Sequence, residues 1–482
     1  MSSAFESHTR SVALLIVCSL SLRAAFLLLA GPRSALTGDE LAYDQIAANF
    51  AAGRGLYQTN NPFFPGQTLF AWQAPLYPFL LGVLYLVVGH SVVAAKTLGV
   101  LVSTIAVYLT YDVARRVFAQ GKERAVAEQI GFAAGWLIAV YPGLLTNAHL
   151  LLSETLFTSL VLGSFSCAAR ALSAVYEGDS RRWLAAAAVC WGLATLTRGI
   201  TLYFTPFFAG WLGWCVWRRE GEHIGLRRPP LWHALATALS YCVLTAALLA
   251  PYAMRNWSVF GEFVPLETKG GVNLWLGNSP YTPKSAIRNV WKVGVREPML
   301  QALPNDEVPR DRAAYAHAIH YIRSEPLGFL ARMPIKFADF WGFERNLVDT
   351  AETTSQGSGW KAPSKVAADL LAAAVYVVVM IIGVLGLCLA PVDRWKLLLG
   401  GFVSYFVAVH LVIFGDGRFH LPLVPLIALY GGWLLVVLGR DPRSARRLLD
   451  RSNPRVVVAA SLIVSLLAVW IREAWMAWRV LG

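Results

Sequence analysis

The sequence has little charge for its size. Of its 482 residues only 15% are charged, whereas 56% are hydrophobic and the mean hydropathy is +0.51. A soluble chain of this length needs far more charged surface, whereas the apolar side chains of a membrane protein face lipid. The composition therefore excludes an ordinary soluble enzyme and predicts an all-α, polytopic helical bundle in a membrane.

Several kinds of site leave no signal in the sequence. All six cysteines lie within apolar runs without the spacing of metal ligands, so we expect small buried side chains instead of disulfides. There is no glycine-rich nucleotide-binding motif, no zinc motif and no low-complexity tract. The net charge of +13 is confined to short segments between apolar runs, as in cytoplasmic loops. This distribution argues against nucleic acid as a partner.

Long apolar runs dominate what is present. A membrane span needs about 20 mostly apolar residues, and on this measure we expect about eleven spans. The first run is long enough to cross the membrane and others follow it, so we interpret it as an uncleaved helix instead of a signal peptide. The predicted spans are residues 11–30, 92–117, 130–147, 152–174, 183–198, 200–217, 233–253, 366–390, 396–414, 420–438 and 454–471.

Lysine and arginine set the predicted orientation. The basic connecting loops alternate correctly if all of them are cytoplasmic and the N-terminus is inside. This assignment leaves two long outer loops, 31–91 and 254–365, and places the apolar segments 75–89 and 327–341 in the outer interface. A protein whose extramembrane chain lies on one face is expected to carry out its chemistry there.

The predicted organisation has two parts. Residues 1–438 form a transmembrane catalytic domain that includes both long outer loops, and residues 439–482 form a basic cytoplasmic loop and the last span. We expect the protein in a bacterial inner membrane, with its active site facing the periplasm.

Acidic side chains stand out where the chain leaves the membrane. Asp39 and Glu40 follow the first span and begin an amphipathic segment that includes Tyr43, and Glu154 begins the fourth span on the same side. A carboxylate at this depth can accept a proton from an incoming hydroxyl or amine. Helix capping is the alternative for Asp39 and Glu40, and Ser153 as an N-cap is the alternative for Glu154.

Basic residues also fall on the predicted outer face. The preference of Lys and Arg for cytoplasmic loops does not explain their presence there. They are Arg198, Arg255, Lys269 and Arg418. A lipid phosphate is the natural partner for cations at membrane depth, although each one alone could reach the interface or pair with a carboxylate. His420 follows in the same motif as Arg418, and Asn278 lies in a turn-forming cluster of the second long loop.

These residues resemble a known family. Gly38-Asp39-Glu40 with Tyr43, after a first span, resembles the first-loop motif of GT-C fold glycosyltransferases, including protein O-mannosyltransferases and the lipid A aminoarabinose transferase. Glu154 resembles the second acidic position of that group. Leu196-Thr197-Arg198-Gly199 is similar to an aminoarabinose-transferase pattern that has lysine for the arginine. The segment from Arg255 to Asn278 resembles bacterial members of glycosyltransferase family 39.

The resemblance implies roles for the candidate residues. Asp39 would act as general base or position the acceptor, and Glu40, Tyr43 and Glu154 would line the same pocket. Arg198, Arg255 and Arg418 would bind phosphate, as their positions suggest. We expect two departures from these relatives: the chain would lack the large soluble C-terminal domain of some of them, and the Glu-Lys pair in the aminoarabinose enzyme's first loop has no clear counterpart near Trp72-Gln73-Ala74-Pro75. The second departure argues against aminoarabinose transfer itself.

The resulting hypothesis is an inverting glycosyltransferase that takes a hexose or pentose from a polyprenyl-phosphate carrier. The acceptor would be a periplasmic glycan, lipid or protein. The runner-up is a transporter or flippase for lipid-linked sugars, although no matching halves with broken helices are visible. The sequence indicates no certain cofactor and leaves a divalent metal open.

Overall fold

The structure of the protein is a computed structural model, which describes residues 2–30, 35–119, 123–173, 177–219, 230–291, 293–344, 362–441, 448–450 and 452–481. These ranges are almost entirely helical; their only β-type pairing is an isolated bridge between Gln58 and Leu69. The chain therefore has the all-α architecture that its composition predicts.

Eighteen α-helices follow one another along the described chain. They are α1 (Ser2–Ala30), α2 (Asp39–Ala51), α3 (Leu76–Val88), α4 (Val92–Val117), α5 (Arg124–Ala139), α6 (Pro142–Asn147), α7 (Glu154–Ser173), α8 (Glu177–Thr197), α9 (Thr205–Arg219), α10 (Leu231–Phe260), α11 (Gly270–Gly277), α12 (Val293–Gln301), α13 (Glu307–Ser324), α14 (Pro326–Phe340), α15 (Ala362–Leu389), α16 (Arg394–Val412), α17 (Val424–Arg440) and α18 (Pro454–Leu481). Short 3₁₀ helices at Gly199–Phe204, Ile287–Trp291 and Gly417–Leu423 connect some of them.

Nine of the described helices are long and apolar enough to cross a membrane, so this is a multi-pass membrane protein. All nine coincide with predicted spans. The other two predicted spans are also helices: residues 130–147 correspond to most of α5 followed by α6, and residues 183–198 correspond to α8. Both belong to the bundle, since α5 packs on α4 and α17 while α8 packs on α7 and α10.

Aromatic side chains fill the centre of the bundle. Trp191 of α8 is fully buried, 4.9 Å from the Phe208 ring of α9 and 5.7 Å from the Phe402 ring of α16. Its indole Nε1–H donates to Thr205 Oγ1 at 3.0 Å, so its polar group is satisfied. Helices in lipid associate through such packing because apolar burial itself favours no helix contact there. Truncation of Trp191 to Ala would cost about 3–5 kcal/mol.

The two long loops form one layer at one end of the bundle. Phe64, Leu69 and Trp72 of the first loop pack in a common core with Val272 and Trp275 of α11. This core also includes side chains of α12 and α13. The layer holds the loops in place against the ends of the spans.

Hydrogen bonds join the same two loops. The Glu307 carboxylate accepts from Phe70 N at 2.8 Å and Ala71 N at 2.9 Å, and Thr268 N donates to Ala71 O at 2.9 Å. Helices α3 and α14 have 13 and 15 residues, fewer than the roughly 20 a span requires. Their lengths agree with the interfacial positions expected for 75–89 and 327–341.

Candidate functional site

Glu154 lies at the centre of a charged cluster. It begins α7, and its side chain is only 3% exposed. Its Oε1 atom is 2.8 Å from Arg198 Nη1 and 3.9 Å from Arg418 Nε. A buried carboxylate is unfavourable unless cations neutralise it, and here two guanidinium groups do so. Glu154 therefore holds together two arginines from distant parts of the chain.

Asp39 reaches the same cluster from α2. Its Oδ2 accepts from Arg418 Nη2 at 2.6 Å, and 38% of its side chain remains exposed. Gly38 precedes it with φ of 53°, a left-handed conformation that glycine adopts without strain, and this turn starts α2 at Asp39. Asp39 is thus the carboxylate of the cluster that an incoming substrate can contact.

Opposing effects set the pKa of Asp39. Burial raises the pKa, but the positive charges of Arg418, Lys269 and Arg198 and the hydrogen bond from Arg418 outweigh it. The pKa of Asp39 therefore lies below its ordinary value. Asp39 is a carboxylate at neutral pH, ready to accept a hydrogen bond or a proton.

Lys269 supplies the third cation. It is the residue before α11, and its Nζ atom donates to Gln73 Oε1 at 2.7 Å and is 3.3 Å from Glu267 Oε2. Burial alone would lower the pKa of Lys269. The charges around the ammonium group, those of Glu267 and Asp39 among them, outweigh burial, so the pKa of Lys269 lies above its ordinary value. The ammonium group therefore stays protonated. We call Asp39, Glu154, Arg198, Lys269 and Arg418 the carboxylate–cation cluster.

Tyr43 lies beside this cluster. Its hydroxyl donates to Ser153 Oγ at 3.2 Å, and Arg198 Nη1 lies 3.3 Å from the same Ser153 oxygen. Burial raises the pKa of Tyr43, so the phenol remains protonated. Tyr43 and Ser153 thus connect α2 to the first turn of α7 and to Arg198.

Glu40 points away from its neighbour Asp39. Its Oε1 accepts from Leu151 N at 2.9 Å, and its Oε2 accepts from Thr37 N at 3.1 Å. Thr37 O in turn accepts from Glu40 N at 3.0 Å, so these two residues close the turn before α2. Burial raises the pKa of Glu40, with partial compensation by the hydrogen bonds to its carboxylate. Glu40 anchors the start of α2 to the segment that leads into α7.

Three other candidate residues lie in different surroundings. Arg255 donates to Phe70 O at 3.0 Å and Leu56 O at 2.8 Å, so it ties α10 to the first long loop. Asn278 donates to Val412 O at 2.9 Å and accepts from Lys336 Nζ at 2.7 Å. These contacts do not include the carboxylate–cation cluster.

His420 is also separate from the cluster, although it follows Arg418 closely. Its Nδ1 is 2.6 Å from Phe340 O and its Nε2 is 2.9 Å from Glu344 Oε1. The ring is fully buried and stacks on Trp341 and Tyr376. His420 therefore attaches the 3₁₀ helix that carries Arg418 to the end of α14.

The sequence did not identify Gln73 or Glu267 as site residues. Both contact Lys269. The only available signal was their closeness in sequence to Trp72 and Lys269. In the parts of the chain that the structure describes, no group of three or more His, Cys, Asp or Glu side chains could hold a metal ion.

An apolar groove of about 600 Å³ runs along α10. Leu202 and Pro265 line it together with the face of α10 that includes Ala246, Leu249 and Ala253. Leu202 and Pro265 lie four residues along the chain from Arg198 and Lys269. Between these two segments the packing is close, because a Cβ atom at Gly199 would lie 3.3 Å from Leu266 Cδ1 and 3.5 Å from Glu267 Oε1.

Comparisons with known proteins identify the fold. No family model and no curated protein matches the chain. The apo oligosaccharyltransferase of Archaeoglobus fulgidus matches with a TM-score of 0.51 and 13% identity, over 97% of this chain and 55% of its own. The chain thus spans about half the length of that structure.

Two further solved structures are similar at lower scores. The Saccharomyces cerevisiae protein O-mannosyltransferase Pmt1–Pmt2 complex matches with a TM-score of 0.41 and 16% identity, over 57% of this chain and 36% of its own. Apo ArnT from Cupriavidus metallidurans matches with a TM-score of 0.38 and 15% identity, over 88% and 77%. The fold that the chain shares with the Archaeoglobus fulgidus oligosaccharyltransferase is the GT-C membrane fold that the sequence resemblance implied.

Proposed function

We propose that the protein is an inverting glycosyltransferase that moves a sugar from a polyprenyl-phosphate carrier to a glycan, lipid or protein. The reaction would take place at the periplasmic face of a bacterial inner membrane. The observation that carries the proposal is the exposed Asp39 carboxylate, held at 2.6 Å by Arg418 within the carboxylate–cation cluster.

The groove supports a lipid-linked donor. A polyprenyl tail fits a wall of small and apolar side chains, and the cations of the cluster would receive the phosphate. The contacts of Arg198 to Glu154 and Ser153 run through Nη1, while a guanidinium carries five N–H donors in all. Charge-assisted bonds from such a group are strong where little water competes.

Asp39 would act on the acceptor. As the acceptor oxygen or nitrogen attacks the anomeric carbon, the bond from that carbon to the phosphate oxygen breaks and the anomeric configuration inverts. The acceptor becomes more acidic as the new bond forms, so Asp39 can take the proton despite its lowered pKa. Arg198 and Lys269 would stabilise the negative charge that develops on the leaving phosphate.

Mass spectrometry of the cell envelope tests this function. Deletion of the gene should remove one sugar from an envelope component, and the wild-type gene should restore it. An Asp39→Asn gene should give the deletion phenotype, whereas Asp44→Asn, on the same helix but bonded to Tyr85 and His90, should restore the sugar. Restoration by well-expressed Asp39→Asn protein would contradict the proposal, because a transporter would not need that proton acceptor.

A further inference from the structure

A second charged cluster surrounds Asp112 on α4. Its carboxylate is completely buried and binds Arg115 Nη2 at 2.8 Å, Arg116 Nε at 2.8 Å and Arg170 Nη2 at 2.9 Å. Ser166 Oγ donates to the same carboxylate at 2.6 Å. The three arginines come from the ends of α4 and α7, so the cluster joins the last turns of two spans.

This arginine trio is remote from the candidate active site. Arg170 and Glu154 lie on the same helix, α7, near its opposite ends. At a rise of 1.5 Å per residue, about 24 Å of helix separates them. The trio therefore lies near the other boundary of the membrane and takes no part in the chemistry proposed for Asp39.

The trio carries more positive charge than its own structure requires. Three guanidinium groups face one carboxylate, which leaves an excess of two positive charges. The nearby Glu128 is 3.0 Å from Arg124, so it already has a cationic partner of its own. Arg115 Nε is buried and has no hydrogen-bond partner. A buried donor of this kind favours an anionic acceptor.

The trio is nevertheless open to a ligand at its edge. The side chains of Arg115, Arg116 and Arg170 are 23%, 20% and 26% exposed. Trp183 lies beside them, with its ring centroid 4.8 Å from the Arg170 guanidinium carbon and 36% of its surface exposed. Exposed tryptophan is typical of the membrane interface, so the trio lies at the depth of lipid head groups.

We propose that this trio binds the phosphate of an anionic glycerophospholipid. Guanidinium groups bind phosphate oxygens through paired, charge-assisted hydrogen bonds, and Asp112 holds the three groups in place before the lipid arrives. Basic pockets between membrane helices are known to bind anionic head groups in this way. The ends of two spans give a lipid access, whereas a free phosphate would have to remain there without an apolar anchor.

Native mass spectrometry of the detergent-purified full chain tests the proposal. The protein would be titrated with phosphatidylglycerol and, separately, with phosphatidylcholine. Wild-type protein should retain phosphatidylglycerol preferentially. Arg116→Gln/Arg170→Gln should weaken that retention by about fivefold for each arginine removed. Arg115 remains in this variant to neutralise Asp112, so the buried carboxylate is not left unpaired.

Matched variants separate this site from general attraction to a basic surface. Arg124→Gln removes one charge near the same end of α4 and should bind phosphatidylglycerol like wild type. Arg116→Lys/Arg170→Lys keeps the charge, and its binding should fall between that of wild type and that of the double Gln variant. Equal retention of the two lipids, equal weakening by Arg124→Gln, or displacement of the lipid by equimolar inorganic phosphate would overturn the proposal.

Discussion

Arg418 joins Asp39 to Glu154, although Asp39 and Arg418 are 379 residues apart in the sequence. Its Nη2 is 2.6 Å from Asp39 Oδ2 and its Nε is 3.9 Å from Glu154 Oε1. The Arg418 guanidinium thus bridges the exposed carboxylate of Asp39 and the buried carboxylate of Glu154. Asp416 supports this arrangement, because its Oδ1 accepts from Arg418 N at 3.2 Å and caps the 3₁₀ helix.

Replacing Asp39 should affect turnover more than folding. Asp39→Asn nearly preserves shape but removes the proton acceptor, so kcat should fall by roughly 10²–10⁴. Steady-state transfer assays on purified protein measure this effect, and thermal unfolding checks that the bundle is intact. Asp44→Asn is the matched control and should keep its activity within a few-fold. Equal kcat values for the two variants would assign Asp39 to capping alone.

The Arg418 contact should determine how activity depends on pH. Because Arg418 and the other cations lower the pKa of Asp39, the wild-type base remains ionised to a pH below the ordinary range for aspartate. In Arg418→Gln the pKa of Asp39 should rise, so the acid limb of the kcat/KM profile should move to higher pH. An acid limb that does not move would show that the pair does not control the base.

Arg198 and Arg255 should behave differently when each is changed to Ala. Arg198→Ala should cost about 2–5 kcal/mol of donor binding or transition-state stabilisation, because Glu154 also loses its closest partner. Arg255→Ala should leave the KM for donor unchanged and lower the free energy of unfolding by about 1–3 kcal/mol, since Phe70 O and Leu56 O lose their donor.

Donor titrations and thermal unfolding of the two arginine variants separate these effects. A donor KM raised by Arg255→Ala, with stability unchanged, would return Arg255 to the phosphate-binding role that its sequence position suggests.

A bulky side chain in the groove should raise the KM for donors with long tails more than the KM for donors with short tails. Ala246→Trp places a large side chain among the groove-lining residues of α10, so it should raise KM for a donor with a long polyprenyl tail. A donor with a short tail should be affected little. Ala247→Trp is the control, because Ala247 is the next residue on α10 and does not line the groove. An equal effect of Ala246→Trp on both donors would exclude the groove as the tail site.

The sequence predicted the fold, and it named four of the residues that meet in the carboxylate–cation cluster, because both follow from where apolar runs end. Four site residues lie at or near the end of an apolar run: Asp39, Glu154, Arg198 and Arg418. The ends of spans that lie on one face of a bundle come together. The sequence could not separate Asp39 from Glu40. Successive residues on a helix point about 100° apart, so only one of the two faces the cluster.

Tertiary contacts decided the remaining assignments. Arg255 and Lys269 both lie in the second predicted outer loop, but only the charge of Lys269 acts on Asp39 and lowers the pKa of that carboxyl group. Arg255 instead satisfies backbone carbonyls of the first long loop. Lys336, fully buried in an apolar segment, was not identified in the sequence. Burial and then the charge of Arg332 lower its pKa to about 7, and it donates to Asn278 and Val412 O.

Donor use by the purified protein tests the central claim most directly. The enzyme would be given the same sugar on a polyprenyl phosphate or on a nucleotide, with an envelope extract as acceptor, and transfer would be followed by mass spectrometry. The account predicts transfer from the lipid-linked sugar that is lost in Asp39→Asn, and none from the nucleotide sugar. Efficient transfer from the nucleotide sugar, without any response to the lipid-linked donor, would contradict it.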